Sequence, residues 1–180
     1  MDELGQYQRA VAGMTAGTDL VLHTLAAAPT GVLVLLDLDA MGKVNRRYGD
    51  GTGDRLVAKI AGNVQKVAQG HGGNAAHLGG DQFVAVVPDP PDADTDADAV
   101  VRDLRRAVRR TRILVVAVTA SAGVVRWRDN GHPAELLQAA AGDLHHAKSR
   151  TTPPTAPRRR AGELLRRVRI RAGRVVRWRR

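Results

Sequence analysis

The sequence predicts one α/β (α+β) domain, in which helices pack on a central sheet. Short runs rich in Val, Leu and Ile alternate with segments whose apolar residues recur at helical spacing. One pair of strand-like runs is separated by Gly79-Gly80, a sequence that favours a hairpin. The 180 residues are 43% hydrophobic but only 3% aromatic, so we expect a core of aliphatic side chains.

The first half of the chain predicts a helix, a buried strand and a second helix. Val, Leu and Met at helical spacing favour a helix over residues 5–28, with or without a break near 13–17. The run GVLVLLDLD at 31–39 predicts a central buried strand. Residues 41–54 predict a loop with a short helical turn, after which Asp54 starts a helix with one apolar face.

The second half predicts a hairpin, a strand and two helices. The predicted elements are a turn at 70–74, a hairpin at 75–87, an Asp-rich loop at 88–98, a helix at 99–110, a strand run at 112–127 and a helix at 133–149. Residues 92–98 are predicted to form a solvated loop whose last acids favour the N-terminus of the following helix. The strand run is predicted to bend or break around Gly123, and Pro133 suits the first turn of the last helix.

The excess of positive charge lies at the C-terminus. Of 28 basic and 18 acidic residues, eleven and one lie in 158–180, which leaves 17 of each sign in 1–157. We therefore divide the chain into a helical lead-in at 1–30, a domain at 31–150, a Pro/Thr linker at 151–160 and a tail at 161–180. The tail is a basic amphipathic helix or disordered, and its expected partners are anionic lipid, nucleic acid or an acidic protein surface.

Several classes of protein are excluded by composition. The absence of cysteine excludes a disulfide scaffold and a thiolate metal site, and it is consistent with a reducing cytoplasm. The apolar runs are too short to span a bilayer, and the acidic N-terminus is unlike a signal peptide. We expect a cytoplasmic protein.

Acidic side chains lie at the ends of two predicted strands. Asp37 and Asp39 follow the first strand, and Asp81 follows the Gly-Gly pair of the hairpin. Carboxylates at neighbouring strand ends can converge on Mg²⁺, which binds a few carboxylates together with phosphate oxygens. The pattern therefore predicts metal-assisted phosphoryl or nucleotidyl transfer. Each feature taken alone would equally be a plain strand end or a plain hairpin.

Two stretches together resemble a known family. The segments LDLDAMGKVNRRYGDGTGDRL and HLGGDQF resemble the signature of the GGDEF family, the bacterial diguanylate cyclases. TASAGVV at 119–125 and DLHHAKSR at 143–150 resemble a later strand and the final helix of that family, so the resemblance covers residues 10–150. The residues that match in register are Asp37, Asp39, Asn45, Gly49, Gly53, Asp54, Gly79, Gly80, Asp81 and Phe83.

The resemblance implies a fold, a reaction and a partner. It implies a palm-like nucleotidyl-cyclase fold with a central, mostly antiparallel sheet. It also implies a homodimer in which each subunit holds one GTP, with Mg²⁺ or Mn²⁺, and the two GTP molecules are joined into cyclic di-GMP. The implied metal ligands are Asp37, the Leu38 carbonyl and Asp81; the catalytic positions are Asp81 and Gln82; and the substrate positions are Met41, Asn45, Asp54, Gly79, Gly80 and Lys148.

The sequence departs from the family pattern at the position that matters most for catalysis. Gln82 stands where the signature has Glu, and a neutral amide adds no charge for a second cation and cannot act as a base. We therefore expect reduced activity, or a degenerate module that binds GTP or a cyclic dinucleotide and regulates a partner. A nucleic-acid-associated protein is a third, weaker hypothesis. Gly70 and Gly73 replace the family's inhibitory Arg-x-x-Asp, so product feedback is not expected.

Overall fold

The computed structural model describes residues 17–128 and 132–151. The elements are α1 (17–27), β1 (Gly31–Leu38), α2 (Met41–Tyr48), α3 (Asp50–Gly70), β2 (Asn74–Gly79), β3 (Gln82–Pro88), α4 (Ala97–Arg110), β4 (Ala120–Trp127) and α5 (Pro133–Thr151). The predicted start of the first helix, the basic tail and all of the predicted linker except Thr151 lie outside the described residues. Thr151 is the last residue of α5 rather than part of a linker.

The four strands form one antiparallel sheet in the order β2-β3-β1-β4. Strand β1 lies between β3 and β4, and all eight of its residues are buried. The prediction of a central buried strand at 31–39 is confirmed, with its end at Leu38. The predicted hairpin is also confirmed, since β2 and β3 pair directly on either side of Gly80 and Asp81.

Helices cover both faces of the sheet. The alternating side chains of β1 point in turn to two clusters, as the period of two in a strand requires. Val32, Val34 and Leu36 pack with the apolar stripes of α3 and α4, including Ile60 and Leu104. On the opposite face, α1 and α5 contribute Val21, Leu25, Leu136, Leu137, Ala140 and Leu144 to the second cluster. The sheet edge at the end of β1 is thereby held between two packed layers.

The predicted loop at 41–54 is wrong, because the segment forms α2 and the first turn of α3. Only Gly49, with φ of +82°, interrupts the two helices. Gly51 and Gly53 lower the helix propensity of the first turn of α3, so the sequence pattern did not predict a helix there. A Cβ at Gly53 would collide with Asn45 Oδ1, so close packing at the junction explains that glycine.

The predicted strand run at 112–127 is only partly right. Strand β4 begins at Ala120, and the preceding segment makes a tight turn with an isolated bridge between Ile113 and Val116. Gly123 does not break the strand. Its missing side chain lets α5 approach, since a Cβ there would collide with the Ala140 carbonyl oxygen and the Leu144 backbone nitrogen.

The solvated loop predicted at 92–98 is confirmed, because all four of its acids are exposed. Asp89, which precedes that stretch, has a side chain that is only 5% exposed, and Arg126 of β4 and Arg128, just after it, hold this part of the chain to the sheet. Arg126 Nη1 donates to both carboxylate oxygens of Asp89, at 3.0 and 3.2 Å, and Arg128 pairs with Asp94 at 3.2 Å. Asp89 also accepts the backbone N–H of Thr95 at 2.8 Å. The predicted preference of the last acids for a helix start is confirmed, because Asp96 caps α4 by accepting from the Ala99 N–H at 2.9 Å.

The adjacent His145 and His146 are exposed on the surface of α5. No helix within the described ranges has the length and hydropathy needed to cross a membrane.

Candidate functional site

Three strand ends meet at one edge of the sheet. Asp37, the penultimate residue of β1, is paired in register with Gln82 of β3 on one side and with Ser121 of β4 on the other. The Leu38 N–H donates to the Asp81 carbonyl oxygen at 2.8 Å, which fastens the hairpin turn to the end of β1. Antiparallel pairing therefore brings Asp37, Asp81 and Gln82 together from positions more than forty residues apart in the chain.

The hairpin turn requires its glycines. Gly79 and Gly80 have φ of +114° and +63°, a region that disfavours side chains. His77, which stands in the place of the family's Arg, has its Nε2 3.0 Å from the Gly80 carbonyl oxygen, and its ring stacks on Phe83 with a centroid distance of 4.7 Å. Sequence reasoning missed this bracing role of His77. A histidine three residues before the turn was the available signal.

Asp37 is a buried carboxylate with a perturbed charge. Its exposed fraction is 7%. Burial raises the pKa of Asp37 above its ordinary value of 3.8, and the neighbouring charge of Asp81 raises it further, while hydrogen bonding and attraction from Lys148 and the Gln82 amide offset part of the increase. Lys148 Nζ lies 2.5 Å from Oδ1, and Gln82 Nε2 donates to Oδ2 at 3.3 Å.

The two carboxylates at this strand end, Asp37 and Asp81, are oxygen donors of the kind that a hard divalent cation takes. Asp37 already holds a positive group, the Lys148 ammonium, and the like charge of Asp81 is close enough to raise the pKa of Asp37. Over 17–128 and 132–151, no group of three His, Cys, Asp or Glu side chains could hold a metal. Two carboxylates fit Mg²⁺ only when phosphate oxygens and water complete its shell. A role for the Leu38 carbonyl stays a prediction.

Asp39 braces the start of β4. Its Oδ2 accepts from the Thr119 hydroxyl at 2.6 Å, and its Oδ1 accepts from the Ser121 hydroxyl at 2.8 Å. Its backbone N–H donates to the Thr119 carbonyl oxygen at 2.8 Å. The residues after β1 are thus locked to the start of β4. The sequence placed Asp39 in the signature but gave no partner for it.

Asn45 and Asp54, two of the predicted substrate positions, flank the junction of α2 and α3. Asn45 lies in the last turn of α2, and its Oδ1 is buried without a hydrogen-bond partner. Asp54 is exposed in the first turns of α3. An unpaired buried amide oxygen is costly, and a ligand that donates a hydrogen bond would satisfy it. Met41 differs from the other substrate positions because it is buried at 7% exposure within the core.

A separate groove of about 480 Å³ lies between α3 and α4. Its lining residues are Val67, Gly70, His71, Asp103, Arg106, Ala107 and Arg110. Gly70 is one of the two positions where the family's inhibitory motif would stand. None of the predicted site residues lines this groove, so it is distinct from the site at the end of β1.

Comparison with known proteins gives the same picture for sequence and fold. Residues 17–153 match the family described as diguanylate cyclase, GGDEF domain. An uncharacterised 19.3 kDa protein from Streptomyces ambofaciens is 31% identical over 82% of this chain and 78% of its own length. The diguanylate cyclase VdcA of Vibrio cholerae is 30% identical over 65% of this chain, which spans only 36% of VdcA.

Solved structures share the fold. The GGDEF domain of DgcB from Caulobacter crescentus, crystallised with c-di-GMP, superposes with a TM-score of 0.62 at 24% identity, covering 77% of this chain and 85% of that one. The active GGEEF domain of a diguanylate cyclase from Vibrio cholerae gives a TM-score of 0.60 at 18% identity, with 74% and 90% covered. The predicted palm-like fold with its antiparallel sheet is confirmed.

Proposed function

The chain belongs to the GGDEF domain family of diguanylate cyclases, and on that premise we propose that it binds GTP with Mg²⁺ or Mn²⁺ and condenses two GTP into cyclic di-GMP at a reduced rate. The observation that carries the proposal is the meeting of Asp37 and Asp81 at one strand end. The cytoplasm, where GTP is made and used, is the compartment that suits this reaction.

The proposed contacts divide between the base and the phosphates. Asn45 offers both an acceptor and a donor amide to the guanine edge, and Asp54 accepts from the guanine N–H groups. The left-handed turn at Gly79 and Gly80 leaves backbone open to a nucleotide, and Lys148 contributes positive charge to the phosphates. Asp37, Asp81 and the Leu38 carbonyl would hold the cation. The cation would neutralise negative charge on the phosphates and lower the barrier to attack by the hydroxyl.

The proposed reaction needs two subunits. Each 3′-oxygen bonds to the α-phosphorus of the GTP held by the other subunit, the bond to pyrophosphate breaks, and the hydroxyl proton passes to solvent or a nearby base. Gln82 cannot take that proton, and its amide instead donates to Asp37. The missing carboxylate also removes negative charge that would hold a second cation, so the rate is expected to be low.

The proposal is tested by incubating the full chain with GTP and Mg²⁺ or Mn²⁺ and measuring cyclic di-GMP by mass spectrometry. We expect slow product formation that is lost in Asp81→Asn, which removes a charge with almost no change of shape. Asp98→Asn, an exposed acid in the first turn of α4, is the matched control and should leave the rate unchanged. No product at high protein concentration would refute the cyclase.

A degenerate binding module is the second candidate. The observation that favours it is that the Gln82 amide and the Lys148 ammonium already contact the Asp37 carboxylate. The fold therefore does not need a metal cation to balance the negative charge of Asp37. Calorimetry with GTP and with cyclic di-GMP separates the two ideas, because a binding module shows affinity without turnover. Unchanged affinity in Asn45→Ala would refute the nucleotide site in both.

A further inference from the structure

Two large apolar side chains protrude from the turn between α4 and β4. Leu114 is 82% exposed and Val115 is 81% exposed, about twice the exposure of Leu20 or Tyr48, the other exposed large hydrophobic residues of the described ranges. Leu114 and Val115 are called the apolar tip below. Side chains of this size are costly to leave in water, and two in succession need an explanation.

The turn holds the apolar tip outward. The Ile113 N–H donates to the Val116 carbonyl at 3.1 Å, and the Val116 N–H donates back to Ile113 at 2.9 Å. Leu114 has φ of +54°, a left-handed conformation that costs free energy for a residue with a side chain. Val116 is only 5% exposed and anchors the turn in the core. The tip is therefore displayed by a built turn.

Positive charge leads into the apolar tip. Six exposed arginines lie on α4 and in the two residues after it, at positions 102, 105, 106, 109, 110 and 112. Two of these arginines are ion-paired, Arg106 with Asp103 at 4.0 Å and Arg102 with Asp96 at 3.9 Å, and Arg105 Nε donates to the Ala120 carbonyl at 3.0 Å. The other three precede the tip in a stretch, 104–119, that contains no acid. Lys59 adds a further cation, because its Nζ donates to the Arg112 carbonyl at 3.0 Å. The result is a cationic surface that ends at the apolar tip.

We propose that this surface docks on an anionic lipid bilayer. The apolar tip would enter the boundary between headgroups and acyl chains, and the arginines of α4 would face the lipid phosphates. A nucleic acid complements the arginines, whereas an anionic bilayer complements both the arginines and the two aliphatic side chains, so the tip favours lipid. Thr119 and Ser121, which follow the tip in the chain, donate hydrogen bonds to Asp39 at the proposed catalytic edge. Docking of the tip would therefore hold that edge near the membrane surface. The inference does not depend on catalytic activity.

A probe at the tip tests the proposal in the full chain. Because the chain has no cysteine, Val115→Cys can be labelled at one position with an environment-sensitive fluorophore. Vesicles of equal parts phosphatidylcholine and phosphatidylglycerol should shift its emission to the blue, and spin-labelled lipid should quench it. The same label at Leu20→Cys, on α1, should stay in water. Binding through the Arg-rich C-terminal segment alone would leave both probes in water and would overturn the proposal.

Sedimentation with the same vesicles gives an independent measurement. Leu114→Ser with Val115→Ser should weaken partitioning roughly tenfold, from the lost apolar contact, whereas Leu20→Ser should not. Arg109→Gln with Arg112→Gln should weaken it about fivefold per arginine. Arg46→Gln with Arg47→Gln removes the same charge from α2 and should have a much smaller effect. Equal losses for the two charge pairs would contradict docking by this face.

Two further outcomes would also overturn the proposal. A blue shift that appears without lipid and grows with protein concentration would mean that a second copy covers the tip. A blue shift on duplex DNA at the same salt concentration would mean that the surface binds nucleic acid.

Discussion

At the residue scale, Asp37 combines burial with a charge that the fold does not favour. Because its pKa is raised above 3.8, the folded state binds this proton more tightly than the unfolded chain does. The contribution of Asp37 to stability is therefore largest at low pH, and it falls as pH rises from 3.8 through the raised pKa. At neutral pH the ionised carboxylate costs stability, as expected for a group kept for binding rather than for folding.

We predict that Asp37→Asn stabilises the protein in metal-free buffer at neutral pH. The amide mimics the protonated carboxyl, and its oxygen can still accept from Gln82. Each kcal/mol gained should raise the melting temperature by roughly 2–4 °C. Thermal unfolding with a chelator present measures this change. A lower melting temperature would show that the Lys148 pair, rather than the cost of burial, dominates at this site.

Asp39 is the matched contrast, because its carboxylate is a structural brace. Asp39→Ala removes the acceptor of two hydroxyl hydrogen bonds and leaves the buried Ser121 unpaired. We expect a loss of about 1–3 kcal/mol in the free energy of unfolding, measured with urea, and partial recovery in Asp39→Asn. An unchanged midpoint would contradict the bracing role.

At the element scale, the site depends on how closely α5 lies on β4. That helix carries Lys148, and Gly123 is the point where its backbone approaches the strand. The sequence suggested a break at Gly123, because isolated glycines in strands are ambiguous between a break and a close approach. Only the position of a helix that follows later in the chain separates the two explanations.

We predict that Gly123→Ala destabilises the fold by roughly 1–3 kcal/mol, because α5 must move outward. Gly142→Ala on the same helix is the control. An added Cβ there meets nothing within 4 Å, so the change should stabilise by about 0.5–1 kcal/mol through helix propensity. Urea unfolding of both variants gives the comparison, and equal effects would refute close packing at Gly123.

The charge of Asp89, beside the Asp-rich loop, gives a second prediction at the element scale. Burial disfavours the charge of Asp89, but the Thr95 N–H, the hydroxyls of Thr30 and Thr95 and the Arg126 guanidinium outweigh it, so the pKa of Asp89 is lowered. Its stabilisation is complete above 3.8, the ordinary pKa, and is lost as pH falls through the lowered one.

Asp89→Asn should therefore be less stable than the parent chain at neutral pH. The difference in unfolding free energy should stay constant down to the ordinary pKa of Asp and should shrink below it. Denaturant titrations at a series of pH values measure it. A difference that does not vary with pH would mean that Asp89 acts by shape and not by charge.

At the scale of the whole molecule, the features that the sequence predicts correctly are those that depend on patterns of neighbouring residues. The buried run of β1, the Gly-Gly hairpin and the order of strands and helices follow from periodicity and turn residues. The meeting of Asp37 with Asp81 was predicted too, because strand ends in a sheet lie side by side. What the sequence could not supply were partners distant in the chain, such as Thr119 for Asp39 and Arg126 for Asp89.

The exposed apolar tip is another feature that could not be predicted from the sequence. A run as apolar as ILVVAV predicts a strand, because local composition cannot register that Leu114 and Val115 lie outside the sheet. The compartment and the partners of the C-terminal segment stay predictions of the sequence.

The central claim is that this is a cyclase limited by Gln82, and the turnover of Gln82→Glu beside the parent chain tests it most directly. Restoring the carboxylate adds the missing negative charge next to Asp37, where the Gln82 amide now donates at 3.3 Å. With GTP and Mg²⁺, followed by mass spectrometry, we predict slow formation of cyclic di-GMP by the parent and a rate at least ten times higher, or about 1.4 kcal/mol in activation free energy, in Gln82→Glu. Absence of cyclic di-GMP from both proteins, with GTP bound by each, would contradict the claim.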